Sequence, residues 1–166
     1  MTHRLRPHLN SIQMNEMMFD WAFKTAKEED ATFRLSKDTN SFREIAAHLV
    51  ISRHGLCKSF DIAVDDLPWG DLGEGMEAGF IDTDDFPSLA TIHDAWNKMA
   101  AVFRSGLVKT SDEQLAQPSP FPLPWDDSST MEDFAALTVV HESYHIGQLG
   151  MITKAKTGAG LMNPPG

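Results

Sequence analysis

Four stretches of this chain place apolar residues three and four positions apart, and no stretch of similar length alternates with a period of two. Such stripes bury themselves by packing helix on helix, so the pattern restricts the fold to an all-α bundle. The first stretch runs from Leu9 to Glu28, with Leu9, Ile12, Glu16, Phe19 and Phe23 in line and Met17, Met18, Trp21 and Ala22 widening the face. The second runs from Phe42 to Phe60 and carries Phe42, Ile45, Ala46, Leu49 and Leu56; Ser41 and Glu44 form a capping-box pair at its start. The third runs from Phe86 to Leu107, with Pro87 at its start and a stripe of Leu89, Ile92, His93, Trp96, Met99, Ala100 and Phe103. The fourth runs from Thr130 to Thr157, between a capping Thr130 with Asp133 three residues on and a terminating Gly158. Its stripe reads Phe134, Leu137, Thr138, His141, His145, Gln148, Leu149 and Ile152. A chain of 166 residues with one such set of helices is expected to form a single four-helix-bundle domain, residues 1–166.

The connections are long. A polar stretch, Glu29 to Asn40, joins the first two helices. The segment from Asp61 to Asp85 holds nine acidic residues and no Lys or Arg, and so accounts for most of the formal charge of −10. The run QPSPFPLPW, Gln117 to Trp125, has four prolines that favour a stiff, extended backbone. The acidic segment lacks the residue order of a calcium loop and reads as solvated.

Charge and composition exclude several functions. A chain this acidic has few cations to exchange for phosphate counterions, so nucleic acid and anionic membranes are not expected partners. The single cysteine, Cys57, rules out an internal disulfide scaffold and has no His or cation beside it in sequence, so it reads as an inert thiol. No apolar run reaches about 18 residues, and the opening residues lack an apolar signal core; the expected location is the cytoplasm. The methionines read as core filling, with Met14, Met17, Met18 and Met99 in helices and a dimer face as a second use.

The residues that carry chemistry lie in HESYHIGQL, His141 to Leu149. His141 and His145, four apart on a helix, point the same way and can hold one metal ion. The run also matches H-E-x-x-H, but a protease of that type needs a third ligand downstream, and residues 146–166 contain no His, Asp, Glu or Cys. The third ligand is therefore sought upstream. His48, beside Ile45 and Leu49 on the second helix, ranks first, and His93 on the third ranks second. His54 lies near a helix end, and His3 and His8 in a terminus expected to be solvated. Three neutral imidazoles leave coordination positions open, as in a catalytic site, and suit Zn, Ni or Fe without choosing among them. Glu142 and Tyr144 are candidates for the catalytic proton carrier, and Gln148 shares the His141 face. Gly147, costly inside a helix, predicts that a neighbouring helix or a ligand comes close there.

His48 in SFREIAAHLVISRH, the run HESYHIGQL with its H-x-x-x-H-x-G-Q ending, four helices with long loops and the chain length together resemble the DinB-like (DinB/YfiT) superfamily of metalloenzymes. The resemblance implies a four-helix bundle with a long crossover, often a homodimer. It also implies a divalent metal held by three histidines, here His48, His141 and His145. Relatives of known activity are metal-dependent transferases of small cellular thiols and a thiol-dependent maleylpyruvate isomerase. The acidic and proline-rich loops match no motif and are expected at the pocket mouth. The expectation for function is a metal-dependent enzyme acting on a small molecule, of thiol S-transferase, isomerase or hydrolase type, with a small thiol as co-substrate. The alternative is a non-catalytic metal-binding or sensing bundle, and a third reading makes the histidines polar core residues.

Overall fold

In a computed structural model, which describes residues 4–70, 86–121, 123 and 126–162, each apolar stripe becomes a helix. Helix α1, Arg6–Thr25, begins earlier than expected because Pro7 fits the first turn, where its missing N–H has no helical partner to lose. It therefore takes in His8, which is half-buried rather than solvated; His3 lies outside the described residues. Helix α2, Phe42–Ser59, starts at the expected capping box: the Ser41 side chain accepts from the Glu44 N–H, and the Glu44 carboxylate accepts from the Ser41 N–H. Helix α3, Leu89–Lys109, is capped by Ser88 rather than opened at Pro87. A single turn, α4, Asp112–Leu115, forms inside the next connection on its own capping box of Ser111 and Gln114. Helix α5, Met131–Thr157, runs between the expected Thr130–Asp133 box and Gly158, whose φ of 78° suits a residue without Cβ. Among the described residues no strand forms; Pro118–Thr130 and Leu123–Asp126 are isolated bridges.

Side-chain pairs give the helix directions. Arg4 meets Glu132, Ser143 Oγ donates to Asn15 and Lys156 meets Asp30, so α1 and α5 run parallel. Phe23 against Phe42 and Arg53 against Glu16 set α2 antiparallel to α1. Cys57 beside Met99 and Phe60 beside Phe103 set α3 parallel to α2. The topology is up-down-down-up. Two consecutive helices that point the same way need a connection as long as the bundle, which explains the long α2–α3 segment. Residues 71–85, including six of its nine acids, lie outside the described residues.

The core has two apolar halves. One is built on Phe19, Ile45, Leu49, Trp96, Ile146 and Leu149, the other on Ile12, Leu56, Met99, Phe103 and Phe134. On α1, α2 and α5 a polar layer separates them: Asn15 and Glu16, Arg53, and Thr138 and Glu142 are all buried. Met99 and Met131 fill core space as expected, whereas Met14 and Met17 are exposed on α1. Among the described residues no helix is long and apolar enough to cross a membrane.

Candidate metal centre

Helix α2 contributes His48 and helix α5 contributes His141 and His145, one turn apart. One ring nitrogen from each lies within 4.8 Å of those of the other two. His48 Nε2 is 3.0 Å from His141 Nε2. Two imidazole ligands about 2.0–2.1 Å from a shared ion hold their nitrogens roughly 3 Å apart, so the pair is spaced for coordination. The rings of His48 and His141 lie 4.4 and 4.6 Å from that of His145, steeply inclined in both cases.

The surroundings favour neutral, lone-pair-bearing nitrogens. Burial first, and the neighbouring His145 and His141 second, push the His48 pKa down from 6.5 to about 4. Burial also lowers His141 and His145. His145 Nδ1 is 2.7 Å from Gln148 Oε1. An Nδ1–H donated to that carbonyl oxygen leaves Nε2 as the acceptor, the tautomer a metal ligand needs. Three partly buried imidazoles, one oriented from behind by an amide, fit a divalent ion. Ser52, one turn after His48, brings its hydroxyl to 3.4 Å from His48 Nε2. Sequence reading missed this serine, although its i+4 spacing from His48 was the available signal.

The other candidates fall elsewhere. His93 is drawn off by α1: its Nε2 is 2.9 Å from Asp20 Oδ1 and its ring stacks on Phe23 at 4.7 Å, so it is not the third ligand. His54 is half-buried near the end of α2 and outside the cluster. Tyr144 is 63% exposed, its ring 5.0 Å from that of His145. Glu142, only 1% exposed, turns into the core, where Arg53 Nε and Nη2 donate to its two oxygens at 2.8 and 2.7 Å. The α5 stripe is thus centred on Glu142, with His141 and His145 on its flank facing α2. A carboxylate in the middle of a helix face reads as surface unless its cation is known, and Arg53 lies 89 residues away.

Two further expectations are corrected. Among the described residues a Cβ on Gly147 would meet nothing within 4 Å, so no neighbouring helix comes close to this glycine. The described part of the proline-rich segment folds back on the start of α5, where Ser119 N donates to Ser129 O and Phe121 packs on Phe134. From Thr130 to His141 the helix rises roughly 16 Å, so this part of the loop is at the wrong end to cover the histidines. Cys57 is buried, and burial pushes its thiol up to about 11, which keeps it protonated and unreactive.

The sequence profile of the DinB superfamily matches residues 11–149, a span that takes in all three histidines. A search of curated proteins finds no match.

Proposed function

The chain belongs to the DinB superfamily, and from that premise we propose that it is a metal-dependent enzyme acting on a small molecule. The observation that carries this reading is the convergence of His48, His141 and His145 from two helices onto one point. Those three side chains would hold Zn, Ni or Fe through ring nitrogens, and Gln148 would keep His145 in the binding tautomer. A divalent ion bound there supplies Lewis acidity, which lowers the pKa of an adjacent water or thiol to near neutrality. The reaction class is then thiol S-transfer or isomerisation with a small thiol as co-substrate, or hydrolysis with water.

The protein's own groups divide the remaining work. Ser52 offers a hydroxyl at the edge of the site for orienting a bound nucleophile. With both Glu142 oxygens engaged by Arg53, proton transfer falls to Tyr144, whose ring stands at the solvent side of His145. A homodimer is part of the proposal, supported by the exposed Val140, Tyr144 and Met151 on one face of α5; sedimentation at micromolar concentration tests it.

A non-catalytic metal-binding or sensing role is the second reading. It is favoured by a cavity of about 370 Å³ whose lining, Phe60, Ile62, Val102, Lys109 and Gln114 among it, includes none of the three histidines.

Elemental analysis of protein purified without an affinity tag, beside a His48→Ala/His141→Ala/His145→Ala variant, tests the site. About one divalent ion per chain, absent from a folded variant, is expected. No metal in the wild type after supply of Zn²⁺, Ni²⁺ and Fe²⁺ would overturn it. Turnover of thiol and electrophile pairs by the loaded protein then separates enzyme from sensor.

A further inference from the structure

Mid-way along the bundle, at the height of the histidines, the chain buries a charged cluster that the proposed chemistry does not use. Arg53 is 0% exposed. Its guanidinium donates through Nε and Nη2 to both oxygens of Glu142 on α5 and through Nη1 to Glu16 Oε1 on α1, the last at 2.8 Å. Arg104 of α3, its side chain 42% exposed, adds a charge contact at the solvent edge of the cluster, Nε to Glu16 Oε2 at 2.9 Å. Arg53 also lies over the Trp96 ring, 4.0 Å from its centroid. Every long helix therefore contributes to one cluster of two cations and two anions, lying between two apolar halves of the core.

Stability alone does not account for such a cluster. Removing charges from water costs much of what their attraction returns, and apolar replacements of similar volume often leave a protein as stable or more so. What a buried ion cluster does supply is a single register. If α5 slid by one turn or rotated about its axis, Glu142 would enter an apolar half and Arg53 would face hydrocarbon. Adjacency in the chain couples this register to the metal site. On α2, Ser52 borders the histidines and Arg53 enters the cluster; on α5, His141 borders them and Glu142 enters the cluster. Neighbouring residues on a helix point about 100° apart, so fixing one side chain in the core aims the other. Asn15 and Ser143, hydrogen-bonded at 3.1 Å, tie the opposite flank of α5 to α1.

We infer that Arg53 and Glu142 are the positioning pair of the metal centre: their two-pronged contact fixes the rotation and register of α5 on α2, which brings His141 and His145 to His48. This rests on the metal reading above.

The test replaces both partners, Arg53→Met/Glu142→Leu, so that no charge of the pair is left buried alone, and reads Co²⁺ binding in the protein otherwise intact. Affinity by competition with a chelator and the visible ligand-field spectrum are recorded beside thermal unfolding of the metal-free protein. We expect a folded, helical variant with a melting temperature near or above wild type. Its Co²⁺ affinity should be lower by about 10–100-fold, the range seen when groups that orient metal ligands are lost, with an altered spectrum. Glu142→Gln keeps the side chain's shape and one acceptor for Arg53, and should retain more of the affinity. It also carries the measurement if the double variant fails to fold. Wild-type affinity and spectrum in the double variant, or affinity lost by Glu142→Gln as fully as by a histidine replacement, would overturn the inference while leaving the site intact. No Co²⁺ binding by the wild type would overturn both this and the metal reading.

Discussion

His48 shows how the bundle tunes a single side chain. An imidazole in water titrates near 6.5, but burial beside two other imidazoles holds His48 at about 4. His48 therefore keeps a free lone pair well below the pH at which a free histidine is protonated, and burial shifts His141 and His145 in the same direction. The same depression is a stability statement. The folded pKa lies below the unfolded one, so stability is fully present above about pH 6.5 and is lost as pH falls towards 4. Thermal melts of metal-free protein between pH 7.5 and 4 should show this fall. In His48→Gln the slope over that window should be shallower; equal slopes would show that His48 is not the group responsible. At constant pH, each of His48→Ala, His141→Ala and His145→Ala should weaken metal binding by more than the roughly 10–100-fold expected of an orienting group. Chelator competition checks this, and an alanine variant that binds like wild type would remove that residue from the ligand set.

The helices themselves follow local rules that the amino-acid pattern makes visible. Ser41 with Glu44 and Thr130 with Asp133 sit where the first N–H groups of a helix need acceptors, and Gly158 sits where the chain must turn left-handed. Two other helical glycines look alike in sequence and differ in space. Gly147 faces open space, so Gly147→Ala should raise stability by up to about 1 kcal/mol, the intrinsic helix preference of alanine. Gly106 lies under Ile62, whose side-chain carbons come within 2.4 Å of where a Cβ would be. Two of the three clashing carbons are bonded close to the Ile62 backbone, so Gly106→Ala should destabilise by about 1–3 kcal/mol. Chemical denaturation of the two variants should give opposite signs. A destabilised Gly147→Ala would reveal a neighbour absent from the single chain, such as a second copy.

Across the whole molecule, the four long helices are held by two apolar layers and one charged layer. Burial keeps the Glu16 pKa raised even beside Arg53 and Arg104, while Glu142 and Glu16 hold Arg53 above its ordinary value although burial alone would lower it. Losing Arg53 leaves Glu142 buried without a cation and Glu16 with Arg104 alone. Arg53→Ala should accordingly cost about 3–5 kcal/mol, far more than the paired replacement that removes Glu142 as well. Equilibrium unfolding in urea distinguishes the two, and a mild Arg53→Ala would mean that water enters to solvate the carboxylates.

Although the Ser88 cap of α3 was passed over for Pro87, four helices, the caps of α2 and α5 and the histidines worth testing were legible in the sequence, because period, capping and i, i+4 spacing are properties of neighbouring residues. So was Glu16 on the stripe of α1, the one sign that a charge faces the core. Its partner was not legible, since Arg53 is 37 residues away and an arginine in a helix ordinarily points to water. For the same reason His48 and His93 could be ranked but not separated: each lies on an apolar stripe, and only the packing of α3 on α1 gives His93 to Asp20. The α5 stripe is centred on Glu142 rather than on the histidines because Arg53 of α2 supplies the donors that let a carboxylate be buried there. Local chemistry determined which segments become helices and which residues are able to bind a metal. The tertiary structure decided which three histidines meet, because a contact between distant segments depends on how whole helices are rotated, and here the buried charges choose that rotation.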